Sequence, residues 1–173
     1  MKVRIIEIAT GRYVNGEIRI PEKEMELPSL QLGWRFNFMK HSKSKGAKTF
    51  ILVKEETLDI IEGCLIFEMK NNQEPYMAYI ELAPHNRGDK RRHEEVAGCL
   101  IAFASRLSFD YGEGPFRGFL AFHVSEEKEK DQIKLISHYS KQYNAIWLKG
   151  TKKMIIHPEV GEKLINKYLK PFL

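Results

Sequence analysis

Residues 76–82 read YMAYIEL, residues 83–93 APHNRGDKRRH and residues 94–111 EEVAGCLIAFASRLSFDY, and these three blocks decide how the chain is read. The first is a largely apolar run of strand length. The second is polar and basic, a loop. The third carries apolar residues at 96, 100, 103, 104, 107 and 111, the spacing of one helix face, and Gly112 and Gly114 stop it. A loop that feeds a helix offers the unpaired N–H groups of the first turn and the positive end of the helix dipole, which together suit a phosphate. Here the loop adds Arg87, Lys90, Arg91, Arg92 and His93, and Ala97 and Gly98 keep the first helical turn small.

Upstream, Thr49–Val53, Ile60–Met69 and Tyr76–Leu82, separated by polar turns, describe an antiparallel meander. Residues 3–8 and 17–20 read as two further strands, with Asn15-Gly16 as a tight turn before the second. Residues 21–48 are broken by Pro21 and Pro28 and predict no regular element. Downstream, Phe119–Val124 is a continuous apolar run, read as a strand buried on both faces, with His123 as a core histidine. An amphipathic helix over 129–143, short strands near 145–148 and 153–157, and a helix from Pro158 through Tyr168 complete the order. With no repeat and no linker, the 173 residues read as one domain of α+β class, a single mixed, mainly antiparallel sheet flanked by helices.

Composition narrows the function classes. No apolar run approaches the roughly 20 residues of a membrane helix, and Glu7 interrupts any signal-peptide pattern, so a cytoplasmic protein is expected. Cys64 and Cys99 lie in apolar surroundings, predicting buried reduced thiols. Without CxxC, CxxH or HxxxH spacing, no metal site is expected. A net charge of +5 calls for an anionic partner, either nucleic acid or a cofactor with several phosphates.

The loop and helix resemble motif A of the GNAT acyltransferases, [Q/R]-x-x-G-x-[G/A], in the stretch Arg92-His93-Glu94-Glu95-Val96-Ala97; Glu95 stands in place of the central glycine. Gly98-Cys99-Leu100-Ile101 is similar to the start of that family's pyrophosphate-binding helix. The loop between Gly88 and Arg92 is longer than the family's. The run Leu135–Ala145 resembles its A-x-x-F-Y-x-K-x-G-F segment through Tyr139 and Lys141, with departures at His138, Asn144 and Ala145. The resemblance covers residues 49–157; residues 1–48 would form a variable region on the acceptor side.

The resemblance implies a GNAT (acyl-CoA N-acyltransferase) fold over 1–173. The implied activity is N-acetyl transfer from acetyl-CoA, as acyl donor, to a small-molecule or peptide amine by direct attack. Homodimers are common in the family. Strand 76–82 would splay from 119–124 to admit the pantetheine arm. Backbone groups of Leu82 and Ala83 would bind that arm, and those of Glu94, Glu95, Val96, Ala97 and Gly98 the pyrophosphate, with Arg92 beside it. Tyr139 would be the general acid for the departing thiolate; its plainer role is a core aromatic beside Ile136 and Tyr143. Glu81, a carboxylate near the end of an apolar strand, is a candidate base or else an ion-pair partner. His85 is a second candidate base or a hydrogen-bonded loop residue.

Trp34, Phe36 and Phe38, followed by the basic run Lys40–Lys45, read as aromatics packed on the sheet with solvated lysines; stacking and phosphate contact with nucleic acid is the less favoured reading. Two rivals to catalysis stay open: a non-catalytic GNAT-fold protein with an altered cofactor loop, and a basic nucleic-acid-associated module.

Overall fold

The meander expected between residues 49 and 82 forms the middle of one continuous sheet. The structure, a computed structural model, describes residues 1–169, so the last four residues of the expected domain lie outside it. In chain order the strands are β1 (Lys2–Glu7), β2 (Arg12–Arg19), β3 (Lys48–Lys54), β4 (Thr57–Lys70), β5 (Glu74–Leu82), β6 (His93–Glu94), β7 (Leu120–His123), β8 (Ile146–Trp147) and β9 (Lys153–Ile156). Across the sheet they run β6-β1-β2-β3-β4-β5-β7-β9-β8. The helices are α1 (Phe38–His41), α2 (Val96–Tyr111), α3 (Glu129–Tyr143) and α4 (Pro158–Tyr168). Among the described residues every strand pairing is antiparallel except β5 with β7, which is the mixed, mainly antiparallel α+β sheet expected.

Period-two alternation in β3 and β4 builds a core on each face of the sheet. Leu52, Leu65 and Phe67 point to one side, where they meet Leu100 and Phe103 of α2 and, further along, Ile136 of α3 and Leu164 of α4. Ile51, Val53, Cys64 and Ile66 point to the other, where Trp34 and Phe38 cover them. Fully burying each such side chain stabilises the fold by roughly 1.5–3 kcal/mol. The apolar stretch Val96–Ala104 follows from its position: α2 lies between the sheet and α4, so it is buried nearly all round.

The aromatics of the unassigned segment therefore pack on the sheet. Its regular structure is a 3-10 turn at Leu30–Leu32 and the single turn of α1, capped by the Asn37 side chain accepting from the Lys40 N–H at 3.0 Å. Two readings need correction. Asn15 and Gly16 lie inside β2, and the chain reverses at residues 8–11, where Gly11 takes φ +66°. Gly16 is small for another reason: a Cβ there would stand 3.1 Å from the Val53 oxygen on β3, so glycine permits the close approach of two strands. β7 is not buried on both faces either. Leu120 and Phe122 are in the core, but His123 is exposed, and its Nδ1 pairs with the Tyr76 hydroxyl at 2.7 Å.

Candidate functional site

β5 and β7 run parallel but pair at one position, Tyr76 with Ala121. Beyond that pair they separate, and the gap is a cavity of about 280 Å³. Met77, Ile80 and Leu82 line it from β5, Phe122 and Val124 from the other side, and Tyr139 of α3 closes its wall. The splay expected between residues 76–82 and 119–124 is present.

A second cavity, about 470 Å³, surrounds the N-terminus of α2. The two share Leu82, Ala97, His138 and Tyr143 as walls, so they adjoin. Glu94, Glu95, Val96, Ala97 and Gly98 all border the second cavity. The N–H groups of a helix's first turn have no intrahelical partner, so α2 presents donors here. Glu95 occupies the left-handed region at φ 68°, ψ 0°. A residue with a Cβ thus takes a backbone shape that glycine adopts freely, at a cost of about 1–2 kcal/mol.

The two small residues of that first turn differ in use. Ala97 borders both cavities. At Gly98 the space that a Cβ would fill is already taken by the Tyr168 ring of α4, so its smallness serves helix packing. Arg92 does not border the second cavity. Its N–H donates to the His85 oxygen at 2.9 Å and its carbonyl accepts from Ile8 at 2.9 Å, tying the loop to the edge of the sheet. Arg91 borders the cavity instead, paired with Glu94 at 2.7 Å, and Lys167 of α4 adds a second cation.

Of the three residues with expected chemical roles, Tyr139 and Glu81 line the first cavity and His85 does not. Tyr139 leans on the Phe122 ring, 4.9 Å between centroids, and its hydroxyl makes no hydrogen bond among the described residues. Burial pushes that hydroxyl up to about 12, so it stays protonated at neutral pH. The Glu81 carboxylate accepts the backbone N–H of Arg35 at 2.8 and 3.0 Å and that of Phe36 at 3.2 Å. Burial raises its pKa above the ordinary carboxylate value, opposed by those hydrogen bonds and by Arg87 and Arg35. The side chain of His85 turns instead to Glu62 on β4, 2.7 Å away. The Ala83 N–H is bonded to the Glu62 carbonyl at 3.0 Å and is not free for a ligand.

Sequence reasoning missed the ion pair at the mouth of the cleft. Arg35, from the segment between β2 and β3, bonds Glu126 beyond β7 at 2.7 Å. The two residues are 91 positions apart, and no local pattern joins them. Cys64 and Cys99 are buried free thiols, as expected; burial raises both, Cys99 to about 12, so neither supplies a thiolate at neutral pH. Among the described residues no helix is long and apolar enough to cross a membrane.

No protein-family model matches the sequence, and no curated protein matches it. Solved structures do resemble the fold. A KacTA–DNA complex superposes with a TM-score of 0.57 at 13% identity, over 88% of this chain and 99% of that one. A tyrosine-to-phenylalanine mutant of the AtaT toxin, bound to the C-terminus of the antitoxin AtaR and acetyl-CoA, gives 0.51 at 13% identity, over 87% and 98%. A GNAT family acetyltransferase from Elizabethkingia anophelis with acetyl-CoA bound gives 0.49 at 12% identity, over 81% and 94%. The chain has the GNAT fold. One of these neighbours is named a GNAT family acetyltransferase and another a toxin with acetyl-CoA bound.

Proposed function

We propose that the chain is an acetyl-CoA-dependent N-acetyltransferase working in the cytoplasm. The observation that carries this is the continuity of the two cavities through Leu82 and Ala97. One offers helix N–H donors with Arg91 and Lys167 for a pyrophosphate; the other offers an apolar slot between parted strands for the pantetheine arm. Acetyl-CoA in the AtaT neighbour supports the same donor.

In this reading an amine attacks the thioester carbonyl directly, a C–N bond forms and the C–S bond breaks. Tyr139 gives the proton that the departing thiolate takes up, since its hydroxyl is protonated and has no competing partner among the described residues. Glu81 receives the amine's proton; its raised pKa makes it a better base than an ordinary carboxylate. It also fixes the acceptor-side segment through Arg35 and Phe36. The acceptor's identity is left to experiment: thiol release from acetyl-CoA should be followed over a panel of small amines, peptide N-termini and lysine peptides. A melting temperature unmoved by millimolar acetyl-CoA would sink the proposal.

A second reading concerns partners and takes its support from the neighbours, one of them a DNA complex and another an antitoxin complex. The chain would then work beside a protein partner and nucleic acid, contrary to the sequence-based preference against nucleic acid. Duplex DNA added to the chain alone, at physiological salt, tests the direct form of this idea; no shift in migration would reject it.

A further inference from the structure

Outside the cleft, three side chains from three separate elements converge beneath the loop 84–92. Glu62 comes from β4, His85 from the 3-10 turn after β5 and His93 from β6. The Glu62 carboxylate is 1% exposed, an expensive place for a charge unless it is bound. Its Oε2 lies 2.7 Å from His85 Nε2 and 3.0 Å from His93 Nδ1. Asn86, also buried, holds the group from behind: its Nδ2 donates to the same Oε2 at 2.7 Å, and its Oδ1 accepts from the His93 backbone and from His93 Nδ1, each at 3.1 Å, so that an ion at Nδ1 would take the place of that ring proton. The three donor atoms all lie within 4.8 Å of one another.

We propose that Glu62, His85 and His93 form a binding site for one divalent transition-metal ion, zinc foremost. The donor set, two imidazole nitrogens and one carboxylate oxygen, is one that zinc accepts with a fourth position left open. Tetrahedral zinc with bonds of about 2.0–2.1 Å spaces its ligands about 3.3 Å apart. The 2.7 and 3.0 Å separations therefore open by a few tenths of an ångström as an ion enters. His93 and Glu62 are buried, whereas the His85 side chain is 22% exposed and borders a surface cavity with Trp34 and Pro84, which gives the ion a path and the fourth position an outlet. Asn86 orients the carboxylate, as an outer partner does in metal sites. A bound ion would pin the loop leading into α2 onto β4, so that it acts as a clasp on that loop.

The test uses tag-free full-length protein stripped with EDTA. Titration with Zn²⁺ should give one saturable equivalent per chain and raise the melting temperature by several degrees, and Co²⁺ should develop the visible absorption bands of a tetrahedral site. His85→Ala, a change at a partly exposed ring, should abolish both effects, and Glu62→Gln should do the same if it folds. No saturable uptake by the wild type would overturn the proposal, and so would uptake unchanged in His85→Ala. The cluster would then be a hydrogen-bond network alone.

Discussion

Glu81 binds the backbone N–H of Arg35 through both carboxylate oxygens, at 2.8 and 3.0 Å, and so fastens the segment between β2 and β3 to the end of β5. The side chain is 7% exposed yet lines the cleft, so its removal leaves those N–H groups with only such water as the cleft admits. Glu81→Ala should cost about 1–3 kcal/mol in urea unfolding and speed proteolysis within residues 33–47, because two part-buried donors lose their acceptor. Glu81→Gln, which keeps one acceptor, should lose less.

The pH dependence of that site follows from the same burial. Desolvation raises the Glu81 pKa in the folded chain, so the native state holds the proton more tightly than the unfolded one. Its contribution to stability is therefore full below the ordinary carboxylate pKa and is lost as pH rises through the raised value. Melting profiles of wild type and Glu81→Gln should differ in slope over that interval and run parallel above it. Parallel profiles throughout would mean that Glu81 titrates normally.

Gly98 meets the Tyr168 ring where a Cβ would stand. Gly98→Ala should destabilise the fold by about 1–3 kcal/mol through overpacking and loosen α4 from α2. Adding Tyr168→Leu should recover part of the loss, since the two substitutions share one contact. A strictly additive double mutant, measured by chemical unfolding, would show that the ring yields without cost.

How much of this could be read in the chain depends on the distance over which each signal acts. The meander of β3, β4 and β5 and the helix α3 were legible, because their apolar spacing is local and each burial face repeats within a few residues. The same rule misled at Asn15-Gly16, where glycine answers to a neighbouring strand rather than to a turn, and at His123, where an apolar run hides one exposed position. The basic loop was read by charge and Arg92 was singled out by its place in the motif; the fold turns Arg91 to the cavity and brings Lys167 from the far end of the chain. Glu62 was invisible as a site residue because β4 reads as a buried strand and its partners His85 and His93 lie 23 and 31 positions on.

Glu95 sits at φ 68° beside the proposed pyrophosphate position, so strain and charge act at one residue. Glu95→Gly should raise stability by about 1 kcal/mol, the left-handed penalty less the entropy that glycine loses on folding. It should also tighten acetyl-CoA binding by removing a carboxylate from the phosphate's surroundings. Glu95→Gln separates the two effects, since it keeps the strain and drops the charge. If calorimetry finds that neither variant binds acetyl-CoA more tightly than wild type, the carboxylate points away from the ligand.

Tyr139 has a hydroxyl with no partner among the described residues, held against Phe122 in the wall of the cleft. If it protonates the thiolate, Tyr139→Phe should lower kcat by about 10²–10⁴ and leave KM for acetyl-CoA nearly unchanged, because the ring and its packing remain. With its pKa pushed up to about 12, the wild-type rate should show no loss assignable to Tyr139 below pH ~11. The Phe variant's deficit should shrink with an aryl thioester, whose thiolate leaves without a proton. An equal deficit with both donors would assign Tyr139 to shaping the cleft, and full activity of the Phe variant would remove it from the chemistry.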